Sequence, residues 1–347
     1  MGGLEMVARI GVVGCGTVGR GLVSLLCDKR GFLEEKYGFS FKLTFVSDFI
    51  KGTAASGDGL DPSLVLKSLE KGDITSLPGG VREMPKLDDL LSRYPVDFVC
   101  DATPTNYETG EPGMGILRSA LKSGANAVTS SKGGVGLDLA GLKKLASQCG
   151  VQIRYESSVL SGTPLISLVR GPLAGCEVIK VEGIVNGTTN YILTMMEDGA
   201  EYGDALKEAQ RLGYAEADPT GDVEGFDAAV KVCIMAQEFF GQHLRVPDID
   251  RTGITGVTAG DIRSARDGGK RLKLVAGIEK SGGAARGFVK PRAISLAHPL
   301  ASIMGATNAV CVSTDNLGDV TIVGPGAGAR ETAQGLLSDM LEIAGRS

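Results

Sequence analysis

An acidic segment that ends at a lysine carries the residue types best suited to acid–base chemistry. Asp227 and Lys231 stand four positions apart in a predicted helix, so their side chains share one face. At 100° per residue, Glu224 and Glu238 fall in the same sector of about 60°, while nearly every other position is apolar. Two interpretations stay open: an exposed strip whose ion pair contributes a few tenths of a kcal/mol, or a strip that lines a hydrated cleft.

A second lysine, Lys132 in VTSSKGG, follows the fourth predicted strand. Open α/β sheets bind ligands at the carboxyl ends of their strands, so Lys132 is either a contact for cofactor and substrate or an ordinary surface lysine. The only histidines are His243 and His298, and neither has partners at the spacing of metal ligands. We therefore expect lysine and carboxylate side chains to supply the acid–base chemistry.

The sequence GCGTVG, residues 14–19, predicts a dinucleotide site because it follows the apolar strand ARIGVV and opens a helix. Gly14 would make the tight turn, Gly16 would let the backbone approach the pyrophosphate, and Gly19 would allow close helix–strand packing. Thr17 and Val18 would place backbone N–H groups at the phosphates. The alternative is a glycine turn in an ordinary β-α-β unit.

Asp48 ends the second predicted strand, where a carboxylate accepts hydrogen bonds from the ribose of NAD and repels the extra phosphate of NADP. It lies further from Gly19 than the usual spacing of about 20 residues, which predicts a long first helix. Lys51 is near enough in sequence to offset the repulsion. NAD is favoured and NADP stays open.

Strands that alternate with helices in the first half predict an α/β fold with a Rossmann-type doubly wound parallel sheet. We assign residues 1–155 to a dinucleotide-binding domain that the C-terminal segment 311–347 completes. Residues 156–310 change to mixed strands and helices, which predicts an α+β domain for substrate binding and dimerisation. The strands are expected at 8–14, 42–48, 96–102, 126–129, 151–155, 177–185, 270–279, 286–295, 309–313 and 319–323. The helices are expected at 17–37, 62–71, 85–94, 110–124, 137–150, 188–198, 202–212, 223–240 and 329–343, with the rest of 50–81 as an irregular excursion.

Composition argues against several classes of partner. The net charge of −5 without a large basic cluster speaks against nucleic acid and anionic membranes. The seven cysteines include no CxxC pair, which predicts reduced thiols, and no apolar stretch reaches the length of a membrane span. The N-terminus shows no signal-peptide pattern. We expect a cytoplasmic protein.

Two segments, VNGTTNYILTMM (185–196) and GYAEADPTGDVEGFDAAVK (213–231), resemble the homoserine dehydrogenase family, and the similarity extends from GCGTVG to GPGAGA (324–329). The resemblance implies interconversion of aspartate 4-semialdehyde and homoserine with NAD or NADP, in threonine and methionine biosynthesis. It also implies a homodimer formed through the substrate domain. Because the chain stops at residue 347, feedback through a C-terminal regulatory domain is not expected.

The resemblance also assigns roles to individual residues. Lys132 and Lys231 match the two active-site lysines of the family, and we expect both to face the reacting oxygen while Asp227 orients Lys231. Glu216 and Asp222 match acidic substrate-binding positions, and Gly187 and Thr188 match the substrate loop. We also expect Thr103 and Gly328 to contact the cofactor. Residues 155–164 resemble a monovalent-cation loop that binds Na⁺ or K⁺ through Glu156 and backbone oxygens of Val159, Ser161 and Thr163.

Two other functions remain as alternatives. Another NAD(P)-dependent dehydrogenase of a small amino or keto acid would share the glycine turn but should lack the acidic run before Lys231. A non-catalytic sensor of NAD(P) would need no paired lysines.

Overall fold

The computed structural model describes residues 7–281 and 284–345, and the described part contains two six-stranded sheets. The first has the order β3-β2-β1-β4-β5-β6. Its strands are β1 (Ala8–Val13), β2 (Phe41–Asp48), β3 (Gly52–Leu60), β4 (Phe98–Asp101), β5 (Asn126–Thr129) and β6 (Ile153–Arg154). All pair in parallel except β3, which runs antiparallel to β2. The Rossmann-type α/β fold is confirmed.

Strand β3 lies where the sequence predicts an irregular excursion. Its sequence, GTAASGDGL, has no aromatic residue and only Thr53 as a β-branched one, and pairing with β2 imposes the strand. The helices of this region are α1 (Thr17–Tyr37), α2 (Pro62–Glu70), α3 (Leu87–Arg93), α4 (Gly113–Lys122), α5 (Lys132–Cys149) and α6 (Ser157–Leu160). The 21 residues of α1 account for the long interval between Gly19 and Asp48.

The second sheet has the order β12-β11-β7-β9-β10-β8 and is antiparallel except where β8 pairs with β10. Its strands are β7 (Val178–Ile184), β8 (Asp250–Arg251), β9 (Lys270–Ser281), β10 (Ala284–Ser295), β11 (Thr307–Thr314) and β12 (Gly318–Pro325). The helices are α7 (Ile166–Arg170), α8 (Gly187–Glu197), α9 (Tyr202–Arg211), α10 (Thr220–Val223), α11 (Phe226–Phe240) and α12 (Ala259–Asp267), with 3-10 turns at Val246–Asp248 and Pro299–Ser302.

The helix predicted over 223–240 is two helices. Gly225 has φ 78°, a left-handed conformation that ends α10 and precedes α11. Glu224 is therefore not on the helix of Asp227 and Lys231. Helix α5 likewise begins at Lys132 rather than at 137, with a break at Asp138 (φ −148°).

The chain forms two compact units, one that runs to Gly162 and includes the segment from Gly328, and one over Thr163–Ala327. Strands β11 and β12 belong to the second sheet. The sequence assigns 311–347 to the cofactor domain, whereas 311–327 lie in the second unit, where β11 pairs with β7 and β12 pairs with β11.

The last helix, α13 (Ala329–Ile343), packs into the first unit. Its buried side chains share one hydrophobic core with β1, β2 and α1. These residues are Ala333, Leu336, Leu337, Met340 and Leu341. Among the helices the structure describes, none combines the length and the apolar character needed to cross a bilayer.

Candidate active site

The glycine turn after β1 has the geometry that a dinucleotide phosphate requires. Gly14 has φ 86°, and a Cβ there would lie 2.6 Å from the backbone of Ala102. A Cβ on Gly19 would lie 1.8 Å from the Gly14 oxygen, so only glycine allows α1 to approach β1 this closely. Around Gly16, by contrast, no described atom lies within 4 Å of such a Cβ. The open backbone at Gly16 leaves room for a phosphate.

The N-terminus of α1 is available for an anion. Its N-cap is Gly16, which has no side chain that could accept a hydrogen bond from the first N–H groups of the helix. Thr17 and Val18 occupy the first turn, where backbone N–H groups lack partners in the helix and carry a partial positive charge. These features fit a pyrophosphate.

Asp48 is held beside the glycine turn. Its carboxylate accepts hydrogen bonds from the backbone N–H groups of Cys15 (2.8 Å), Ile50 (2.9 Å) and Lys51 (3.0 Å). Burial opposes ionisation, but these donors and the Lys51 ammonium keep the pKa of Asp48 below its usual value. Lys51 Nζ donates to the Cys15 carbonyl. Asp48 is therefore a fixed negative charge with an ammonium nearby.

Cys15 is inert despite its place at a helix start. Burial raises the pKa of its thiol to about 12, and the Asp48 charge acts in the same direction.

Thr103 lies just beyond β4, and its side chain points inward. Its hydroxyl and backbone N–H both donate to Asp101, at 2.6 and 3.0 Å, and Thr129 donates to the same carboxyl at 2.8 Å. Burial raises the pKa of Asp101 despite these donors. The Thr103 hydroxyl is thus used within the protein.

Lys132 is the first residue of α5 and is half-buried. Its backbone N–H donates to the Thr105 hydroxyl at 3.1 Å, which fixes the start of the helix after β5. Gly328, the N-cap of α13, has φ 132°, and a Cβ there would lie 2.0 Å from a Glu331 carboxylate oxygen. Glu331 therefore folds back over the glycine turn.

In the second unit, the structure brings the Asp227–Lys231 pair into a buried network. Lys231 Nζ lies 2.7 Å from Asp227 Oδ2 and donates to the Val185 carbonyl at 2.5 Å. Asn186 Nδ2 donates to Asp227 Oδ2 at 3.1 Å and to Asp222 Oδ1 at 2.7 Å. Asn186 thus bridges the two carboxylates and orients the one that binds the lysine.

The interpretation of this pair as an exposed strip is wrong. The side chains of Lys231 and Asp227 are only 5% and 8% exposed. Every residue of α11 from Asp227 to Ala236 is buried, so Asp227 and Lys231 face the network rather than solvent. Glu238, in the same sector, forms an ion pair with Arg170 at 3.6 Å.

Asp222 differs from Asp227 in its setting. Burial raises its pKa, the neighbouring charge of Asp227 raises it further, and Asn186, Lys231 and Thr188 oppose the rise. A buried carboxyl of this kind gains from an incoming cation, such as the ammonium of an amino acid.

The substrate-loop residues Gly187 and Thr188 form the first turn of α8. Asn186 is the N-cap, and its Oδ1 accepts from the Thr189 N–H at 2.9 Å. The Thr188 hydroxyl donates to the Tyr214 carbonyl. Glu216 is exposed and stands apart from this network; its carbonyl accepts from the Gln210 amide at 3.1 Å.

The predicted cation loop is tightly held. Glu156 is buried and its N–H donates to Asp339 at 2.9 Å, and Ser161 has φ 58°, unusual for a residue with a side chain. The Thr163 carbonyl accepts from the Leu165 N–H at 2.9 Å. Val159 is buried in α6. No group of three or more His, Cys, Asp or Glu suited to a metal occurs in the described chain.

Sequence reasoning missed Asn186 and the Val185 carbonyl. The signal was present, since an asparagine before Gly-Thr-Thr is a strong N-cap. Its second task, donating to two distant carboxylates, depends on long-range packing and has no local pattern.

Comparison with known proteins identifies a family that this chain resembles. The family model described as homoserine dehydrogenase matches residues 164–341. The chain is 42% identical to the NAD(+)-dependent homoserine dehydrogenase of Pseudomonas canavaninivorans over 96% of both chains. It is 37% identical to homoserine dehydrogenase of Methanocaldococcus jannaschii, over 96% of this chain and 97% of that one.

Solved structures of the same family are similar to this chain in fold and in sequence. A hyperthermophilic archaeal homoserine dehydrogenase in complex with NADPH has a TM-score of 0.84 and 28% identity, over 99% of both chains. A homoserine dehydrogenase from Thiobacillus denitrificans has a TM-score of 0.83 and 30% identity, over 97% of this chain and 73% of that one.

Proposed function

This chain belongs to the homoserine dehydrogenase family, and from that premise we propose how its own residues perform the NAD(P)-dependent interconversion of aspartate 4-semialdehyde and homoserine. The observation that carries the proposal is the buried ion pair of Lys231 and Asp227, oriented by Asn186. The enzyme is an oxidoreductase, and neither another dehydrogenase nor a sensor is favoured by its relatives.

The nicotinamide cofactor, when bound, supplies or accepts the hydride. In the reducing direction the aldehyde oxygen gains negative charge, and the Lys231 ammonium stabilises that charge and donates a proton to form the alcohol. In the oxidising direction neutral Lys231 accepts the proton. Asp227 holds Lys231 in place, and we propose Lys132 as the second catalytic ammonium.

Substrate binding follows from the charges around α8. The first turn of α8 offers backbone N–H groups at Gly187 and Thr188, which suit a carboxylate. Asp222, with its raised pKa, suits the substrate ammonium, and we propose that Glu216 joins it.

The test measures initial rates with homoserine and each oxidised cofactor, beside other amino alcohols. We expect homoserine to be the preferred substrate and Lys231→Ala to lower turnover by roughly 10²–10⁴-fold, the usual cost of losing an acid–base group. Turnover of Lys231→Ala within a factor of about three would overturn the assignment. Binding of NADH without turnover of any substrate would support the sensor.

We further propose a preference for NAD over NADP. The fixed negative charge of Asp48, beside the glycine turn formed by Gly14, Gly16 and Gly19, supports it, because that charge repels a 2′-phosphate. Thr17 and Val18 would bind the pyrophosphate through backbone N–H groups, Thr103 would contribute its carbonyl, and Gly328 would leave room at the turn before α13.

A monovalent cation, Na⁺ or K⁺, is proposed at Glu156 and the backbone oxygens of Val159, Ser161 and Thr163. The supporting observation is the strained backbone of Ser161, which turns its carbonyl out of the helical direction. Replacing K⁺ with tetramethylammonium should lower activity, and unchanged activity would refute the site.

We also propose a homodimer formed through the second sheet. On β10, Gly287 faces α11, where a Cβ would lie 2.8 Å from Val232. By strand register the opposite face carries Phe288 and, on the edge strand, Val323, which is 52% exposed. Light scattering should show a dimer that Val323→Lys weakens; a monomer would refute it.

The seven free cysteines support a cytoplasmic location.

A further inference from the structure

A second buried lysine in the same unit, Lys273 on β9, takes no part in the mechanism above. It is 1% exposed. Its Nζ donates to the Ile303 carbonyl at 2.6 Å and to Asn190 Oδ1 at 3.0 Å, and it lies 3.5 Å from the Met304 sulfur. The ammonium is thus fully surrounded by acceptors from α8 and from the loop before β11.

Asn190 links that lysine to the loop. Its amide nitrogen donates to the carbonyls of Gly305 (2.8 Å), Thr307 (3.2 Å) and Ile303 (3.3 Å). An ammonium can only donate, so Lys273 forces the amide oxygen of Asn190 towards itself and the NH₂ group towards the carbonyls. One orientation of Asn190 satisfies every partner.

The link continues to the active-site network. Asn190 lies one turn after Asn186, and its N–H donates to the Asn186 carbonyl at 3.3 Å. A Cβ on Gly187 would lie 2.6 Å from the Ala306 carbonyl, so the same loop packs directly against the start of α8. Asn186 in turn donates to Asp227, the partner of Lys231.

A buried charge at Lys273 is a poor choice for stability alone. Burial lowers its pKa to about 8; the Glu197 carboxylate opposes that shift and Arg271 adds to it. Replacing a buried charge with a well-packed apolar residue is often neutral or stabilising. A charge kept at such a position is better explained by the single arrangement it imposes on its neighbours.

We propose that Lys273 is a positioning residue for the reaction: through Asn190 and the loop 303–307 it fixes the first turn of α8, and so the Asn186 amide that orients Asp227 and Lys231. The proposal rests on the roles given above to Asp227 and Lys231. Lys273 touches neither of them and acts through hydrogen bonds along α8.

The experiment compares Lys273→Met with Lys290→Met, a matched change on β10. Lys290 pairs with Asp250 and makes none of the hydrogen bonds described for the network around α8. For Lys273→Met we expect kcat with homoserine to fall about tenfold, in line with the cost of displacing catalytic groups by a fraction of an ångström. The KM for the cofactor should stay within twofold, because the cofactor residues lie in the other unit.

A double-mutant cycle gives the sharper readout. If Lys273 acts through Asn190, then Lys273→Met combined with Asn190→Ala should lower kcat no further than the more harmful single change. Multiplied losses would overturn the proposal, as would a kcat for Lys273→Met equal to that of Lys290→Met. A purely structural role would lower the unfolding temperature and leave kcat per folded enzyme unchanged.

Two further variants keep the test decisive. If Lys273→Met does not fold, Asn190→Asp serves in its place, because it keeps an acceptor for the ammonium and removes the donors to the loop; kcat per folded enzyme should then fall similarly, and an unchanged kcat would refute the link. Lys231→Ala is measured alongside. If it retains turnover, the proposed function fails; if it is inactive while Lys273→Met is normal, only the positioning role fails.

Discussion

Replacing Asp227 by asparagine removes one charge from the buried pair and keeps its shape. At an effective dielectric constant of about 20, unit charges 2.7 Å apart attract by roughly 6 kcal/mol, which is the ceiling on what the carboxylate gives Lys231. Losing one partner of a buried pair usually costs roughly 3–5 kcal/mol. Because the amide still accepts a hydrogen bond, we expect a loss of about 2–3 kcal/mol in stability.

The catalytic rate should fall as well. A neutral amide holds the Lys231 ammonium less firmly than the Asp227 carboxylate does, and the Val185 carbonyl is the other described contact, so we expect kcat to drop about 100-fold in both directions. The assay follows NADH absorbance during aldehyde reduction and homoserine oxidation between pH 6 and 10.

An exposed pair supplies the control. Glu208 and Arg211 are 2.6 Å apart on α9, yet the Arg211 side chain is 68% exposed. Glu208→Gln should change neither the unfolding temperature nor kcat. If Asp227→Asn kept kcat within threefold, the argument that this buried pair is catalytic would be refuted.

Four other substitutions have clear expected outcomes. Asp48→Asn should shift the ratio of kcat/KM for NADP over NAD upward by about tenfold, because it removes the repelling charge and leaves Lys51; an unchanged ratio would argue against the role of Asp48. Asp222→Asn should raise the unfolding temperature most at pH 8: the raised pKa means that ionised Asp222 costs stability above its folded pKa, and this advantage disappears as the pH falls through that value. Gly16→Ala should fold normally and bind NADH at least tenfold more weakly by fluorescence titration, whereas Gly19→Ala should lower the unfolding temperature, because only the second Cβ meets backbone.

The sequence predicted those elements whose signals are local. Helices α1 and α13 begin and end where the pattern places them, since Gly16 and Gly38 mark the ends of α1 and an uninterrupted apolar face marks α13. The cofactor turn was predictable because each glycine has its own steric reason. Strand β3 was not predictable, because backbone pairing with β2, rather than the side chains of β3, determines that it is a strand.

The candidate site was predictable as a list of residues but not as an arrangement. Spacing placed Asp227 and Lys231 on one face of a helix, yet gave no indication of whether that face is exposed, since burial depends on the sheet beneath and on α8. The break at Gly225, which removes Glu224 from the face, follows from a left-handed backbone that the sequence allows but does not require. Asn186 donates to carboxylates that lie 36 and 41 positions further along the chain, beyond the reach of any periodic pattern.

The place of α13 in the core of the first unit has a consequence for biosynthesis on the ribosome. Strand β1 emerges long before α13, so the hydrophobic core that it shares with Leu336, Leu337 and Met340 lacks these side chains until α13 is made. The nascent chain can therefore complete the second unit while the first still exposes apolar surface. A nonsense mutation just before Ala329 would consequently abolish coenzyme binding at the glycine turn, about 300 residues upstream.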